Sequence, residues 1–195
     1  MTETDPEALE EAWRLTPRSA HLPPGQQEYA GLDRALGIGL GQTNSQPTTV
    51  RAMLRALDVR PGQHVLDVGS GSGWTTVLLA RLVGPTGEVV GVERVPELTA
   101  WGRANVEAAG LGRARVEQAS PDALGLPSAA PFDRILVSAE ATALPGELVD
   151  QLGPDGVMVI PVAGELWRVR PGRPVDVLGR YVFVPLVGPE DDQPG

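Results

Sequence analysis

One stretch constrains this chain more than any other. Asp67-Val68-Gly69-Ser70-Gly71-Ser72-Gly73 ends the β-rich run HVLDVG and precedes WTTVLLARLV, whose apolar residues fall at helical spacing. A strand, a glycine-rich turn and a helix in that order let a ligand approach the backbone with no Cβ in the way, and the helix N-terminus can receive an anion. Twenty-two residues after Gly71, Glu93 ends a second apolar run, GEVVGVE. A nucleotide-binding doubly wound fold places the carboxylate that accepts ribose hydroxyls at this point. The glycines could simply make a tight turn, but turn, helix and distant acid in register favour a binding site.

The spacing selects among nucleotides. A dinucleotide site uses G-x-G-x-x-G, which makes room for a pyrophosphate. Here the loop reads D-x-G-x-G-x-G and opens with an acid. An acid suits a cofactor that carries an ammonium and a positive sulfur and no phosphate, which is S-adenosylmethionine. Asp67 is expected to hold its ammonium, directly or through water. Gly69, Ser70, Gly71 and Gly73 are expected to pass beside it, and Glu93 to take the ribose. Trp74 reads as packing, and Asn105 as a structural or exposed helix residue.

From Pro47 onward helical and β-rich runs alternate. TTVRAMLRALDV is helical, HVLDVG β, WTTVLLARLV helical, GEVVGVE β, PELTAWGRANVEAAG helical, ARVEQ a weaker β run, FDRILVS β, LPGELVDQL helical and GVMVIPV β. This predicts an α/β fold, a doubly wound and mostly parallel sheet with helices on both faces. ELWRVR and RYVFVPLV follow with no helix between them, which predicts an antiparallel hairpin at the sheet edge. Residues 15–46 read as irregular. The expected division is a flexible acidic N-terminus over 1–14, a single domain over 15–187 and a flexible acidic tail over 188–195.

Composition excludes several classes. The 195 residues include no cysteine and two histidines, so thiolate zinc sites, disulfide scaffolds and cysteine nucleophiles are out, and no metal is expected. The net charge of -9 argues against a nucleic-acid surface. No apolar run reaches the roughly 20 residues of a membrane span, and the acid-rich start is unlike a signal peptide. The expectation is a cytoplasmic monomer. Glu3, Asp5, Glu7, Glu10 and Glu11 precede the first arginine, and Glu190, Asp191 and Asp192 lie in the tail. The body between them is therefore nearly neutral.

Several blocks in order resemble the protein-L-isoaspartate O-methyltransferase family. GQTNSQP (41–47) is similar to its Thr-x-Ser-x-Pro segment, VLDVGSGSGW to its cofactor loop and VVGVERVPEL to its ribose-binding strand. APFDRILVSAEATALP, LVDQLGPDGVMVIPV and RYVFVPLV resemble its later blocks. The resemblance runs from about Leu15 to Val187 and implies a Rossmann-like S-adenosylmethionine-dependent carboxyl methyltransferase. Its substrate would be the α-carboxylate of L-isoaspartyl residues in damaged peptides or proteins, and its product S-adenosylhomocysteine. It implies a catalytic role for Ser45, whose hydroxyl orients the substrate carboxylate, with Thr43 and Asn44 beside it along the cofactor.

The chain also departs from the family pattern. The family's adenine-binding Asp after the third strand aligns with Ser120, with Asp122 as a nearby substitute, and Asn44 replaces an apolar residue. Related readings are a methyltransferase with a dedicated peptide or small-molecule substrate, including the corrin-precursor type, and a non-catalytic relative.

Overall fold

A computed structural model describes residues 3–188. Seven strands form the main sheet: β3 (His64–Val68), β4 (Glu88–Glu93), β5 (Ala114–Gln118), β6 (Phe132–Val137), β7 (Leu152–Val162), β8 (Glu165–Val169) and β9 (Asp176–Arg180). Their order is β5-β4-β3-β6-β7-β8-β9. β3 through β7 pair in parallel, while β8 and β9 add antiparallel at one edge. The alternation of runs therefore gives the mostly parallel sheet it predicts. The chain leaves β3 to one side for β4 and β5, then crosses to the other for β6. That reversal opens a crevice at the carboxyl ends of β3 and β6.

The two sheet faces are covered unequally. Val65, Val89, Leu136 and Val159 point to one face, under α1 (Pro6–Leu15), α2 (Pro47–Leu57) and α3 (Trp74–Val83). α4 (Pro96–Ala108) joins this layer where Val106 meets Val77 and Val116. α3 is apolar on nearly every side because it lies beneath its neighbours, and Leu78 and Leu79 are wholly buried. Burying each such leucine contributes roughly 1.5–3 kcal/mol. The other face carries Leu66, Val92, Ile135 and Met158, covered by the short α5 (Gly146–Val149) and the loop through Leu124, Leu126 and Ala129.

Four expectations change. Within residues 1–14, expected to be flexible, the chain from Pro6 onward forms α1 (Pro6–Leu15), capped by Asp5 and buried through Leu9 and Ala12. Thr4 fixes its entry by donating to the Leu54 carbonyl (2.6 Å) and accepting from the Val59 amide (2.8 Å). The acids there also find partners in the body, since Glu10 pairs with Arg51. Within the irregular 15–46 stretch, β1 (Leu36–Gly39) and β2 (Gln42–Asn44) make a small hairpin. The edge strand after β8 is Asp176–Arg180 rather than RYVFVPLV, and LPGELVDQL yields only the single turn of α5. Residues 184–186 instead run extended beside Glu140, whose amide donates to Val184 (2.8 Å) and whose carbonyl accepts from Leu186 (2.7 Å). Pro185 has no N–H to extend a ladder. The expected acidic tail lies outside the described residues from 189 onward.

Candidate active site

A cavity of about 470 Å³ occupies the crevice. Its floor is the glycine loop, Val68 to Ser72, with Trp74 and Thr75. Thr43, Asn44 and Ser45 from the end of β2 form one wall, and Val184 to Val187 another. Glu93 and Ser120 stand at the ends of β4 and β5, and the Ala123–Gly125 loop closes the far side. Eight of the residues singled out from sequence therefore meet in one cavity: Thr43, Asn44, Ser45, Gly69, Ser70, Gly71, Glu93 and Ser120.

The glycines have separable tasks. Gly69, Gly71 and Gly73 adopt φ of 77°, 51° and 78°, which excludes most side chains. Gly73 does not line the cavity. It ends the loop where α4 comes closest, and a Cβ there would lie 2.9 Å from the Gly102 carbonyl. Gly102 was not visible as a site residue in the sequence. A Cβ on it would lie 2.6 Å from the Gly71 carbonyl oxygen. Loop and helix thus meet backbone to backbone.

Glu93 braces this loop. One carboxylate oxygen accepts from the Gly71 amide and the other from the Val95 amide, each at 2.9 Å. Ser120 reaches the cavity and accepts from the Asp122 amide at 3.1 Å, whereas Asp122 is exposed and does not line the cavity. The loop at Ala123–Gly125 is held by Gln151, which accepts from Leu126 and donates to Leu124 and Glu147 at 2.8–2.9 Å. The loop carries no spacing signal of its own, and Val184–Val187 belong to RYVFVPLV, which the sequence marks as an edge strand and not as a wall of the site.

Asp67 is placed differently from expectation. Its side chain points from β3 toward α3, wholly buried, and does not line the cavity. One oxygen accepts from the hydroxyls of Thr75 and Thr76, each at 2.7 Å, while the other makes no hydrogen bond. The Ser70 hydroxyl just above is likewise unpaired. Gly91, opposite Asp67 in the sheet, makes the space, because a Cβ there would meet Thr76 and Ser70 at 2.8 and 2.9 Å.

Burial pushes the Asp67 carboxyl up to about 6, the two threonine hydroxyls oppose this, and the Glu93 charge adds to it. The folded chain therefore holds this proton at pH values where the unfolded chain has lost it. Stability from this group is full below pH 3.8 and is lost as pH rises through about 6. The loss is of the order of 3 kcal/mol. Asp67→Asn should remove it, so the stability gap between variant and wild type should widen in the variant's favour from about pH 4 to 7.5. Urea denaturation of the cofactor-free proteins measures this, and a gap independent of pH would rule it out. His21 contributes the opposite slope. Its pKa is lowered by burial, so its part is full above 6.5 and lost in acid.

The donor set suits S-adenosylmethionine. The glycine loop offers backbone, the buried Asp67 with an unpaired oxygen lies next to it in the chain, and the strand-end carboxylate of Glu93 borders the cavity, as does Arg94, whose guanidinium donates to the Gly188 carbonyl. Among the described residues no group of three or more His, Asp or Glu could hold a metal ion.

Known proteins match this arrangement closely. Residues 4–190 fit the family model for protein-L-isoaspartate(D-aspartate) O-methyltransferase. A protein-L-isoaspartate O-methyltransferase of Aeropyrum pernix is 46% identical over 191 residues, covering 91% of this chain and 72% of the relative. One from Methanopyrus kandleri is 41% identical, covering 94% and 84%. A Plasmodium falciparum chain, described as a β-aspartate methyltransferase of this kind and solved with S-adenosyl-L-homocysteine, superimposes with a TM-score of 0.81 at 26% identity, covering 94% of this chain and 91% of its own. The chain belongs to the protein-L-isoaspartate(D-aspartate) O-methyltransferase family.

Proposed function

We infer that this protein methylates the α-carboxylate of L-isoaspartyl residues in damaged peptides and proteins, using S-adenosylmethionine. The observation that carries the reading is the meeting of Ser45 with the glycine loop and Glu93 in one cavity. The Gly69–Gly71 backbone, Glu93 and Ser120 would hold loop-side, ribose and adenine groups respectively, with Asp67 supplying negative charge from beneath. When bound, the cofactor would supply a sulfonium-activated methyl group for transfer to a substrate carboxylate oxygen.

The chain's own residues need supply no base. A carboxylate with an ordinary pKa near 4 is ionised at neutral pH. The Ser45 hydroxyl makes no hydrogen bond among the described residues, which suits it to donate to that carboxylate and orient it. Ile38, Val68, Val92, Leu124, Val184 and Leu186 give the cavity an apolar lining that keeps water from the reacting pair. Opposite charges merge in the reaction, so a dry site favours it. The protein acts as a cytoplasmic monomer on peptide substrates, without nucleic acid or membrane. The acidic composition speaks against a nucleic-acid surface, and among the described residues no helix is long and apolar enough to cross a membrane.

Methyl transfer to isoaspartyl and normal aspartyl versions of one short peptide tests the reading. Turnover of the isoaspartyl form alone is expected. Equal rates with both, or none with either, would overturn it.

A further inference from the structure

Arg18 is a buried cation held by neutral oxygens. It is 6% exposed, and no carboxylate lies within ion-pair distance of it among the described residues. Its guanidinium instead donates to six oxygens: the carbonyls of Ala30 (3.4 Å), Leu32 (3.0 Å), Arg34 (2.8 Å), Asn44 (3.0 Å) and Ser45 (2.9 Å), and Asn44 Oδ1 (2.7 Å). Burial lowers its pKa to about 10, partly offset by Asp33, so it stays charged at neutral pH. A buried charge is expensive, and besides Asp33 the Trp74 ring, with its centroid 5.5 Å from the guanidinium carbon, offsets part of the cost. Here the planar fork of donors is spent on fixing two backbone stretches, 30–34 and 44–45.

Asn44 carries the connection onward. It is 5% exposed, with its oxygen taken by Arg18 and its Nδ2 donating to Ser72 Oγ at 3.2 Å. Both ends of the amide are thus occupied by protein, although its atoms border the cavity. Ser72 is itself fixed, because its carbonyl accepts from Asn105 Nδ2 (2.8 Å) and from His21 (3.1 Å). A carbonyl can only accept, so His21 carries a proton on Nδ1. On the far side, Asp33 accepts from Thr48 and Gln46 and holds the chain just beyond Ser45.

We propose that Arg18 and Asn44 are positioning residues, a strut from the guanidinium through the Asn44 amide to Ser72 that sets the distance between the Ser45 segment and the glycine loop. This role rests on the methyl-transfer reading and assigns the Asn44 side chain to geometry rather than to cofactor contact. An in-line displacement depends steeply on the placement of its two partners, and an error of about 1 Å can cost a hundredfold. The strut should therefore appear in turnover and not in cofactor affinity.

The test uses the full chain carrying Asn44→Ala, Ser72→Ala, both together, and Arg18→Lys. Each single change is expected to lower kcat on the isoaspartyl peptide about tenfold. For Asn44→Ala and Arg18→Lys, the calorimetric Kd for S-adenosylmethionine should stay within about threefold, and the Asn44/Ser72 double variant should be no worse than the poorer single one. Hydrogen exchange over residues 42–46 should rise in Asn44→Ala while β3 and α3 keep their protection. Exchange needs no substrate, so a wild-type protein inactive on the peptide would sink the functional reading and leave the strut decided by exchange. Arg18→Lys can fail to fold, in which case the Asn44/Ser72 cycle decides. Additive losses in that cycle, or an Asn44→Ala protein with wild-type kcat and unchanged exchange, would overturn the strut.

Discussion

Gly102→Ala is expected to destabilise the protein by about 1–3 kcal/mol and to weaken S-adenosylmethionine binding tenfold or more. Helix propensity alone gives the opposite sign, since alanine inside a helix is favoured over glycine by about 1 kcal/mol. Propensity loses here because the new Cβ would sit 2.6 Å from the Gly71 carbonyl oxygen, and neither partner is a flexible side-chain tip. Either α4 or the glycine loop must retreat. The loop is held from the other side by Ile38, whose Cδ1 lies 3.2 Å from where a Gly71 Cβ would be, and by Glu93 on the Gly71 amide. A retreat therefore moves the cavity floor. Denaturant unfolding with calorimetric titration measures both effects. A more stable variant with unchanged affinity would show that the contact tolerates a methyl group.

Ser45→Ala is expected to lower kcat on the isoaspartyl peptide about 10- to 100-fold, the loss of one hydrogen bond to a charged group. The cofactor Kd should move by less than about threefold, because the hydroxyl supports no other part of the fold and the Ser45 carbonyl keeps its bond from Arg18. Unchanged turnover at saturating peptide would remove Ser45 from the reaction. A large rise in cofactor Kd with kcat intact would make it a cofactor ligand instead.

What could be read from sequence was whatever depends on local periodicity. The β3–loop–α3 unit, Glu93 at a strand end and the alternating parallel core all follow from spacings within about 30 residues. The remainder depends on long-range placement. The β1–β2 hairpin was hidden in GIGLGQ, whose Gly39, Leu40 and Gly41 all take positive φ and so look like loop. The acids of α1 mask the inward positions of Leu9 and Ala12. Spacing placed Asp67 beside the cofactor, but its strand register turns it toward Thr75 and Thr76. Nothing in the helical run PELTAWGRANVEAAG marks Gly102, because the carbonyl it accommodates is 31 positions upstream.

The walls of the cavity have a consequence for how the enzyme becomes competent. One wall, Thr43 to Ser45, precedes the first strand of the seven-stranded sheet, and another, Val184 to Val187, follows the last. The second is fastened through two backbone bonds to Glu140 and the packing of Leu186 against the core. A nascent or nicked chain can complete its seven-stranded sheet and still lack one jaw of the site. Activity therefore depends on segments from nearly the whole polypeptide.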